Sequence, residues 1–259
     1  YRAFYGIPSL TNSKGFLTTA IYGFTTMLMK LLRDLSPDYI VVTFDLKGPT
    51  TRHGEFDNYK ATRKPMPDDL IPQIPSIKDV VRAFSICILE KQGIEADDII
   101  GALTGQASRR GWHTAIISGD KDLMQLIDDR VTMVDTMKEK TYDAEAVKEK
   151  FGVGPEKVVE ILGLMGDTSD NIPGVPGIGP KTAQRLIGEY GSVEEVIEHA
   201  ERMHNVKLRD KIRQHAEQAK LSRQLALIRR DIDVDFNLQD AAKREPDREL
   251  LAGLFSEFE

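Results

Sequence analysis

Short apolar runs alternate with amphipathic helical stretches through the first 142 residues, and this alternation limits the fold more than any other feature. Four runs have the length and composition of buried strands: residues 39–44, 86–89, 114–117 and 131–134. Three stretches place apolar side chains at helical spacing: residues 15–32, residues 74–84 and one beginning at Asp97. Strands and helices that alternate in this way predict an α/β fold, with a parallel-sheet core sandwiched by helices.

Beyond this core, strand signals fade and short helical patterns dominate. We therefore predict two domains, an α/β core over residues 1–142 and a helical lobe over residues 143–259. No stretch approaches the roughly 18 uninterrupted apolar residues of a membrane span. The single cysteine, Cys87, excludes an internal disulfide and is typical of a protein from a reducing cytosol.

Residues 46–73 interrupt the alternation, because they are polar, proline-rich and basic around residues 59–64. Long excursions from a compact domain are usually either functional or disordered. We favour function, since the positive charge follows directly after Asp45 at the end of a predicted strand. We expect this segment to form a basic arch, and we assign a DNA contact to Arg52 within it.

Acidic residues gather at four places where strands end or helices begin. They are Asp45, then Glu95 with Asp97 and Asp98, then Asp120 with Asp122, then Asp167 with Asp170. Aspartate favours helix starts, so each group alone has a simpler explanation as a helix cap. The combination favours a site, because ligands of an open parallel sheet bind beyond the carboxyl ends of its strands.

Carboxylates packed together repel one another unless cations compensate their charge. Ligands that are all oxygen suit hard ions such as Mg²⁺ or Mn²⁺, and this number of carboxylates predicts two ions, the arrangement that cleaves phosphodiesters. Two such ions would also offset most of the formal net charge of −6, which is otherwise unusual for a nucleic-acid-binding protein. The five histidines and the lone cysteine show no zinc-type spacing.

Residues 172–185 combine a Gly177-Ile178-Gly179 turn with Pro180 and a predicted helix that carries Lys181 and Arg185. Glycine allows close backbone approach to a ligand, and the free N–H groups of a helix start bind phosphate. This pattern predicts a hairpin that binds the DNA backbone regardless of sequence. The alternative is a tight helix corner without a ligand.

The order of these motifs resembles the 5′ nuclease (flap endonuclease) superfamily, and in particular the N-terminal 5′ nuclease domain of bacterial DNA polymerase I. The residues that carry the resemblance are Asp45; Tyr59-Lys60-Ala61-Thr62-Arg63; Glu95-Ala96-Asp97-Asp98; Gly119-Asp120-Lys121-Asp122; Gly166-Asp167-Thr168-Ser169-Asp170-Asn171; and Gly177-Ile178-Gly179-Pro180-Lys181-Thr182-Ala183. The tail, residues 244–250, resembles the region where that nuclease joins its next domain. The resemblance covers nearly the whole chain.

The resemblance implies a PIN-like nuclease core and a helical lobe with a helix–hairpin–helix-type motif. It implies a 5′–3′ exonuclease or flap endonuclease of replication and repair, hydrolysing DNA at 5′ ends and flap junctions. Two Mg²⁺ or Mn²⁺ ions would be held by eight carboxylates: Asp45, Glu95, Asp97, Asp98, Asp120, Asp122, Asp167 and Asp170. Lys60 and Arg63 would contact the scissile phosphate, and Tyr59 would stack near the cleavage site. The hairpin, with a K⁺ ion, would bind duplex DNA through Gly177, Gly179, Lys181, Thr182 and Arg185.

The implied partners are DNA with a 5′ flap, a nick or a free 5′ end, and polymerase domains following Glu259. We expect a monomer of the bacterial cytoplasm, associated with the nucleoid and not with a membrane. The family has a further aspartate on a strand upstream of Tyr1, so a DNA-binding module without catalysis remains an alternative if that aspartate is missing. A separate alternative is a phosphatase, because Asp120-Lys121-Asp122 has the Asp-x-Asp pattern after a strand.

Overall fold

The computed structural model describes residues 2–259, apart from the side chains of residues 2, 3 and 238. Tyr1, upstream of which the resemblance places a further strand, lies outside the described residues. The chain forms two compact units, and each is assembled from separate stretches of sequence. Unit 1 comprises residues 1–45, 64–90 and 235–259, and unit 2 comprises residues 46–63 and 91–234. The domain boundary predicted at residue 142 lies inside unit 2 and stays a prediction.

The helices and strands are mostly short. The α-helices of the described residues are α1 (Arg2–Gly6), α2 (Thr19–Leu35), α3 (Thr51–Glu55), α4 (Gln73–Ala83), α5 (Ala96–Arg109), α6 (Ala144–Phe151), α7 (Val158–Met165), α8 (Pro180–Tyr190), α9 (Val193–Glu198), α10 (Val206–Gln214), α11 (Ala216–Ala226) and α12 (Arg248–Phe258). The strands are β1 (Val41–Thr43), β2 (Cys87–Leu89), β3 (Thr114–Ile117), β4 (Val131–Asp135) and β5 (Lys140–Tyr142). Within the described residues, no helix is both long and apolar enough to cross a membrane.

Unit 1 is built around α2, α4 and a two-stranded parallel ladder. β1 pairs with β2 so that Val41 lies opposite Cys87 and Thr43 opposite Leu89. The apolar faces of the two helices bury residues such as Ile21 and Val80. The last stretch of the chain completes this core, since Leu251 of α12 packs into it.

Gln73, the first residue of α4, supplies a cap that the start of α2 lacks. The N-cap residue of α2, Thr18, makes no capping hydrogen bond with its side chain. Instead, Gln73 Oε1 accepts from the Ala20 N–H at 2.8 Å and from the Ile21 N–H at 3.4 Å. Its amide donates to the Asp69 carbonyl at 2.8 Å, so this fully buried side chain is hydrogen-bonded at both ends. The contact joins two helices that are far apart in sequence.

We expect Gln73→Ala to lower the free energy of unfolding by about 1–3 kcal/mol, because it leaves buried N–H groups at the start of α2 without an acceptor. Urea unfolding followed by circular dichroism measures the loss. Gln92→Ala, at an exposed position, is the control and should shift the midpoint little. Equal midpoints for the two variants would contradict the capping role.

Unit 2 contains a three-stranded mixed ladder and the remaining helices. β3 pairs with β4 in parallel, and β4 pairs with β5 in antiparallel orientation. A continuous core extends from Ile116 and Met133 in the strands to Leu162 and Ile187 in the helices. In the part of the chain that the structure describes, no strand follows β5.

The predicted α/β class with a helical C-terminal part is confirmed, and each of the four predicted strands forms. The sequence pattern does not predict β5, which runs antiparallel to β4 beside the predicted parallel pair. β5 has three residues, too few to show the alternation of a strand. The turn before it has no Asn-Gly or Asp-Gly pair to indicate a hairpin.

Candidate metal centre and nucleic-acid interface

Arg52, in α3, is buried and uses all of its guanidinium N–H groups. Nη1 donates to Glu95 Oε2 at 3.0 Å and to Asp98 Oδ2 at 2.7 Å, and Nη2 donates to Asp98 Oδ1 at 2.8 Å. Nε donates to the Leu225 carbonyl at 2.9 Å, and Nη2 also donates to the Leu227 carbonyl at 2.6 Å. The five N–H groups of the guanidinium therefore meet five acceptors.

This arrangement contradicts two predicted roles. Arg52 is 4% exposed and has no N–H left for a phosphate, so the predicted DNA contact is wrong in this structure. Asp98 is fully buried, and the Arg229 N–H adds a third hydrogen bond to the two from Arg52, at 2.9 Å. Buried charges are tolerated when they are paired and hydrogen-bonded, which is the state of this pair. Asp98 therefore anchors the first turn of α5, and its predicted metal ligation is not supported.

Glu95, the N-cap residue of α5, and Asp170 are linked by three residues of the basic segment. The Tyr59 hydroxyl lies 3.1 Å from Glu95 Oε2 and 3.2 Å from Asp170 Oδ2 and shares its proton between them. Lys60 Nζ donates to Glu95 Oε1 at 2.8 Å and lies 3.7 Å from Asp170 Oδ2. Arg63 Nη2 donates to Asp170 Oδ1 at 2.5 Å. Lys60 and Arg63 thus lie beside the acidic residues, and their predicted contact with the scissile phosphate stays a prediction.

Tyr59 does not offer a surface for stacking. Its side chain is 3% exposed, its ring meets the His53 ring edge-on at 5.3 Å, and the Lys60 ammonium lies 4.9 Å from its centroid. Burial, followed by the negative charges of Glu95 and Asp170, raises the pKa of Tyr59, so its hydroxyl stays a neutral donor. The predicted stacking role is wrong here, because the ring belongs to the core of unit 2.

The second acidic group follows β3. The Asp120 N–H donates to Ser118 Oγ at 3.0 Å, and the Asp122 N–H donates to Asp120 Oδ1 at 3.1 Å. Lys121 lies between them in sequence, and its Nζ pairs with Asp167 Oδ2 at 2.8 Å. Among the described residues, Asp122 Oδ1 is a buried carboxylate oxygen without a hydrogen-bond partner.

Asp122 also interacts electrostatically with both of the acidic groups near it. Burial raises the pKa of Asp122 well above its usual range, and the charges of Asp120, Asp167 and Asp170 raise it further. These side chains come from the end of β3 and from the loop after α7, so segments far apart in sequence contribute to one negative centre. The ionised carboxylate of Asp122 is disfavoured in these surroundings, and a bound cation would offset its negative charge.

Two glycines give the loop after α7 its shape. A Cβ on Gly166 would collide with the backbone at Ile172, and a Cβ on Gly174 would collide with the backbone of Gly166. Both also have positive φ, +73° and +59°, which favours glycine. The Asp167 N–H donates to the Ile172 carbonyl at 2.9 Å and the reciprocal bond is 2.8 Å. This closed loop presents Asp167 and Asp170 from a fixed backbone.

The other predicted ligands are placed as follows. Asp97 is half-buried in the first turn of α5. Asp45 is exposed, two residues after β1, and belongs to unit 1, whereas the other predicted ligands belong to unit 2. Its participation in the centre stays a prediction.

The predicted carboxylates do not form a group with all ligand atoms within 4.8 Å of one another. Across the residues that the structure describes, Glu195, Glu198 and His199 form such a group. They lie on and just after α9 and are largely exposed, with His199 Nδ1 3.5 Å from Glu195 Oε2. Acidic groups at this helical spacing are ordinary on surfaces. Three of the predicted carboxylates are in ion pairs: Glu95 with Lys60, Asp170 with Arg63 and Asp167 with Lys121.

The donors of the acidic centre nevertheless fit hard divalent cations. They are all carboxylates, which suit Mg²⁺ or Mn²⁺ better than zinc. The buried oxygen of Asp122 lacks a partner, and the neighbouring negative charges raise the pKa of this side chain. The basic side chains that meet Asp167 and Asp170 are partly exposed, Lys121 at 33% and Arg63 at 48%, so they can move when a ligand binds.

The predicted hairpin forms between α7 and α8. Val175 and Ile178 anchor it in the core, Gly177 adopts φ +79°, and nothing lies within 4 Å of a Cβ built on Gly179. Gly179 is the N-cap residue of α8 and Pro180 occupies the first turn, so the helix start is shaped as expected. Lys181 and Arg185 are exposed and Thr182 is half-buried.

Lys211 contacts this hairpin, and the sequence pattern does not predict this contact. A Cβ on Gly177 would collide with the Lys211 ammonium, so this exposed side chain of α10 reaches the turn. No local pattern indicates the contact, because it depends on how α10 packs. Alternating charges in Lys207-Leu208-Arg209-Asp210-Lys211 suggest only a solvated helix face.

The sequence matches two models of one family. Residues 1–152 match the model described as 5′-3′ exonuclease, N-terminal resolvase-like domain, and residues 153–249 match the model described as 5′-3′ exonuclease, C-terminal SAM fold. The chain is 46% identical to DNA polymerase I of Bacillus caldotenax over 99% of its own length and 30% of that protein. It is 39% identical to the 5′-3′ exonuclease of Aquifex aeolicus over its whole length and 88% of that protein.

Solved structures show the same fold. T5 5′-exonuclease with bound zinc has a TM-score of 0.70 at 23% identity, covering 79% of this chain and 80% of the other. The catalytic core of Rad2 in complex with DNA substrate has a TM-score of 0.66 at 17% identity, covering all of this chain and 84% of the other. The chain spans about a third of the polymerases it matches and most of the free-standing Aquifex relative, at 30% and 88% of their lengths. From its matches along the whole sequence, this chain belongs to the 5′-3′ exonuclease family.

Proposed function

We propose that this chain hydrolyses DNA phosphodiesters at 5′ ends and flap junctions, using two Mg²⁺ or Mn²⁺ ions. The observation that carries the proposal is the unpartnered buried oxygen of Asp122, in a side chain whose pKa is raised by burial and by the negative charges of Asp120, Asp167 and Asp170. Acidic residues that served only as helix caps would not need to act on one another. Their mutual influence, together with the partly exposed side chains of Lys121 and Arg63, favours a centre for a phosphate ester.

The proposed ligands are the predicted carboxylates with the exception of Asp98. We assign this role to Glu95, Asp97, Asp120, Asp122, Asp167 and Asp170, with Asp45 as a further candidate. We leave out Asp98 because Arg52 and a backbone N–H occupy both of its oxygens. When bound, such ions supply an activated water and stabilise the negative charge that develops on the phosphate.

Lys60 and Arg63 are proposed to bind the scissile phosphate. Both meet Asp170 in this structure, and both ammonium and guanidinium groups bind phosphate oxygens well. Their positive charges would stabilise the developing charge of the transition state. In the reaction, a water oxygen bonds to phosphorus and the bond from phosphorus to the 3′ oxygen breaks, which leaves 5′-phosphate and 3′-hydroxyl ends.

The hairpin is proposed to grip the duplex through its backbone phosphates. The open turn at Gly179, the start of α8 and the side chains of Lys181 and Arg185 form one polar surface, and Lys211 adds charge at Gly177. Such a surface reads no bases, so it would position the substrate rather than select its sequence. A K⁺ ion at this hairpin stays a prediction.

Two similar structures support a nucleic-acid substrate. One is described as a bacteriophage T5 flap endonuclease in a pseudo-enzyme-product complex with DNA and metal ions, at a TM-score of 0.67. The other is the Rad2 core with DNA substrate. We further propose that the chain acts as the nuclease part of a longer DNA polymerase I, as a monomer in the bacterial cytoplasm. Its match to 30% of such a polymerase supports this arrangement.

We expect the chain to release the flap from a 5′-flap duplex in Mg²⁺ and to leave it intact in EDTA. A duplex labelled on the flap, resolved on a denaturing gel, measures the reaction, and ligation of the downstream product tests for its 5′-phosphate. DNA binding without cleavage in Mg²⁺ or Mn²⁺ would identify a non-catalytic module. Phosphate release from p-nitrophenyl phosphate, with the flap intact, would identify a phosphatase.

A further inference from the structure

Lys138, Lys140 and Lys150 lie on or near β4 and β5 of unit 2, where neither the acidic centre nor the hairpin uses them, and Lys121 lies between them and the acidic centre. We call Lys121, Lys138, Lys140 and Lys150 the lysine cluster. Lys138 and Lys140 belong to the β4–β5 hairpin, and Lys150 belongs to α6. All three are exposed, whereas Lys121 is partly covered.

A single tyrosine ring organises two members of the cluster. The Lys140 ammonium lies 5.0 Å from the centroid of the Tyr142 ring, and the Lys150 ammonium lies 5.3 Å from the same centroid. The ring is buried at 4% exposure, so its position is fixed by the core. Lys150 also lies 5.3 Å from the Phe151 centroid and 3.5 Å from Met124 Sδ. These contacts place both ammonium groups against the same buried ring.

The positive charges of these two lysines are not neutralised. Within the described residues, neither Lys140 nor Lys150 lies in an ion pair with a carboxylate, and Asp135, at the end of β4, pairs with Lys138 at 3.2 Å. An aromatic ring attracts a cation but leaves its charge unchanged. Burial lowers the pKa of Lys150, and the charges of Lys138, Lys121 and Lys140 lower it further. The lysines therefore repel one another and would gain from an anion shared between them.

The cluster is also continuous with the acidic centre. Lys121 stands between Asp120 and Asp122 in sequence and pairs with Asp167, and its charge acts on Lys150. The charge of Lys121 thus acts on both the acidic centre and the cluster. Separate lysines on a solvated face would not share one buried ring.

From this arrangement we infer that Lys138, Lys140 and Lys150 form a second contact surface for the phosphate backbone of the DNA substrate, reached from the cleavage site through Lys121. The inference rests on the proposed nuclease function and adds the path of a substrate strand. It predicts contacts without base specificity, because ammonium groups act on phosphates as point charges. It also predicts a strong dependence of binding on salt.

The test compares wild type with Lys140→Gln/Lys150→Gln, which removes both charges and keeps the side-chain stems on the Tyr142 ring. The dissociation constant of a 5′-flap duplex is measured by fluorescence anisotropy in EDTA between about 50 and 200 mM KCl. Losing two phosphate contacts should reduce the magnitude of the slope of log K against log salt by about 2. Between the lowest and the highest salt concentration, the double variant should therefore lose roughly tenfold less affinity than the wild type loses. Lys140→Arg/Lys150→Arg should retain the wild-type slope.

The matched control is Lys148→Gln/Lys220→Gln, which removes two other exposed lysines of unit 2 and should leave the slope at its wild-type value. Lys140→Gln alone, on the exposed hairpin strand, should reduce the slope by about 1 even if the double variant folds poorly. The inference is overturned if the salt dependence of binding stays at its wild-type value in both Lys140→Gln/Lys150→Gln and Lys140→Gln. It is also overturned if the control variant reduces the salt dependence by the same amount. Flap cleavage by wild type in Mg²⁺ tests the nuclease function separately, so the two failures are distinguishable.

Discussion

Asp120→Asn and Asp122→Asn are each expected to reduce flap cleavage in Mg²⁺ by about 10³-fold while the chain still binds the flap duplex. A catalytic metal ion contributes several kcal/mol of transition-state stabilisation, and each 1.4 kcal/mol or so is about a factor of ten in rate. Binding should persist because the hairpin lies in a different segment. Single-turnover cleavage and anisotropy on one substrate separate the two effects.

The same substitution at Asp122 should stabilise the metal-free protein. The folded state raises the pKa of Asp122, so above that pKa the folded chain carries an ionised carboxylate whose charge its surroundings disfavour. The free energy of unfolding of the wild type should therefore increase as pH falls through the raised pKa of Asp122, because the carboxylate becomes protonated. Below that pKa, Asp122→Asn should no longer be more stable than the wild type. Urea unfolding in EDTA at several pH values measures the difference.

Asp129→Asn is the control for both measurements, because Asp129 is exposed and lies outside the acidic centre. It should change neither cleavage nor the pH dependence of unfolding. Unchanged cleavage in Asp120→Asn and Asp122→Asn would remove these residues from the proposed metal ligands. If Asp122→Asn is less stable than the wild type at high pH, the surroundings of Asp122 do not disfavour its ionised carboxylate in the folded state.

Arg52→Met should lower the free energy of unfolding by about 3–5 kcal/mol, because it leaves the buried carboxylate of Asp98 without its cation. Arg52→Lys should recover little of this loss, since an ammonium has three N–H donors where the structure uses five. Chemical unfolding in EDTA measures both variants. Cleavage should fall as well, because Glu95 loses one of its donors.

Arg63→Met is the matched control. The Arg63 side chain is 48% exposed, and partly exposed ion pairs contribute about 1 kcal/mol or less, so stability should change little while cleavage falls. Had Arg52 been a DNA contact, Arg52→Lys would keep stability and full folding. Equal stability of Arg52→Met and wild type would contradict the proposed anchoring of α5.

The parts of the site that follow local rules could be predicted from the sequence. Glu95 precedes a helix, Asp120 follows a strand, and Gly177 and Gly179 shape a turn, and each of these residues is recognisable from its immediate neighbours. The rule that the ends of parallel strands meet at one edge predicts that the acidic residues approach one another. The order of motifs then indicated the family, and the sequence comparisons confirm it.

Roles that depend on tertiary partners could not be predicted in this way. Arg52 looked like a phosphate contact because it lies in a basic segment, yet its acceptors include carbonyls of Leu225 and Leu227, which no local pattern reveals. Tyr59 is aromatic beside basic residues, which favoured stacking, but its burial depends on packing across unit 2. Lys211 reaches the hairpin from α10 for the same reason.

The interleaving of the two units affects the order in which the chain can fold during synthesis. Every residue of unit 2 has been translated by residue 234, whereas unit 1 still lacks residues 235–259. That final stretch supplies Leu251 to the core of unit 1, and the Asp247 N–H donates to the Ala83 carbonyl at 2.8 Å. The earlier stretches of unit 1 therefore wait for residues 235–259, and the apolar faces of α2 and α4 stay incompletely covered until those residues have been made.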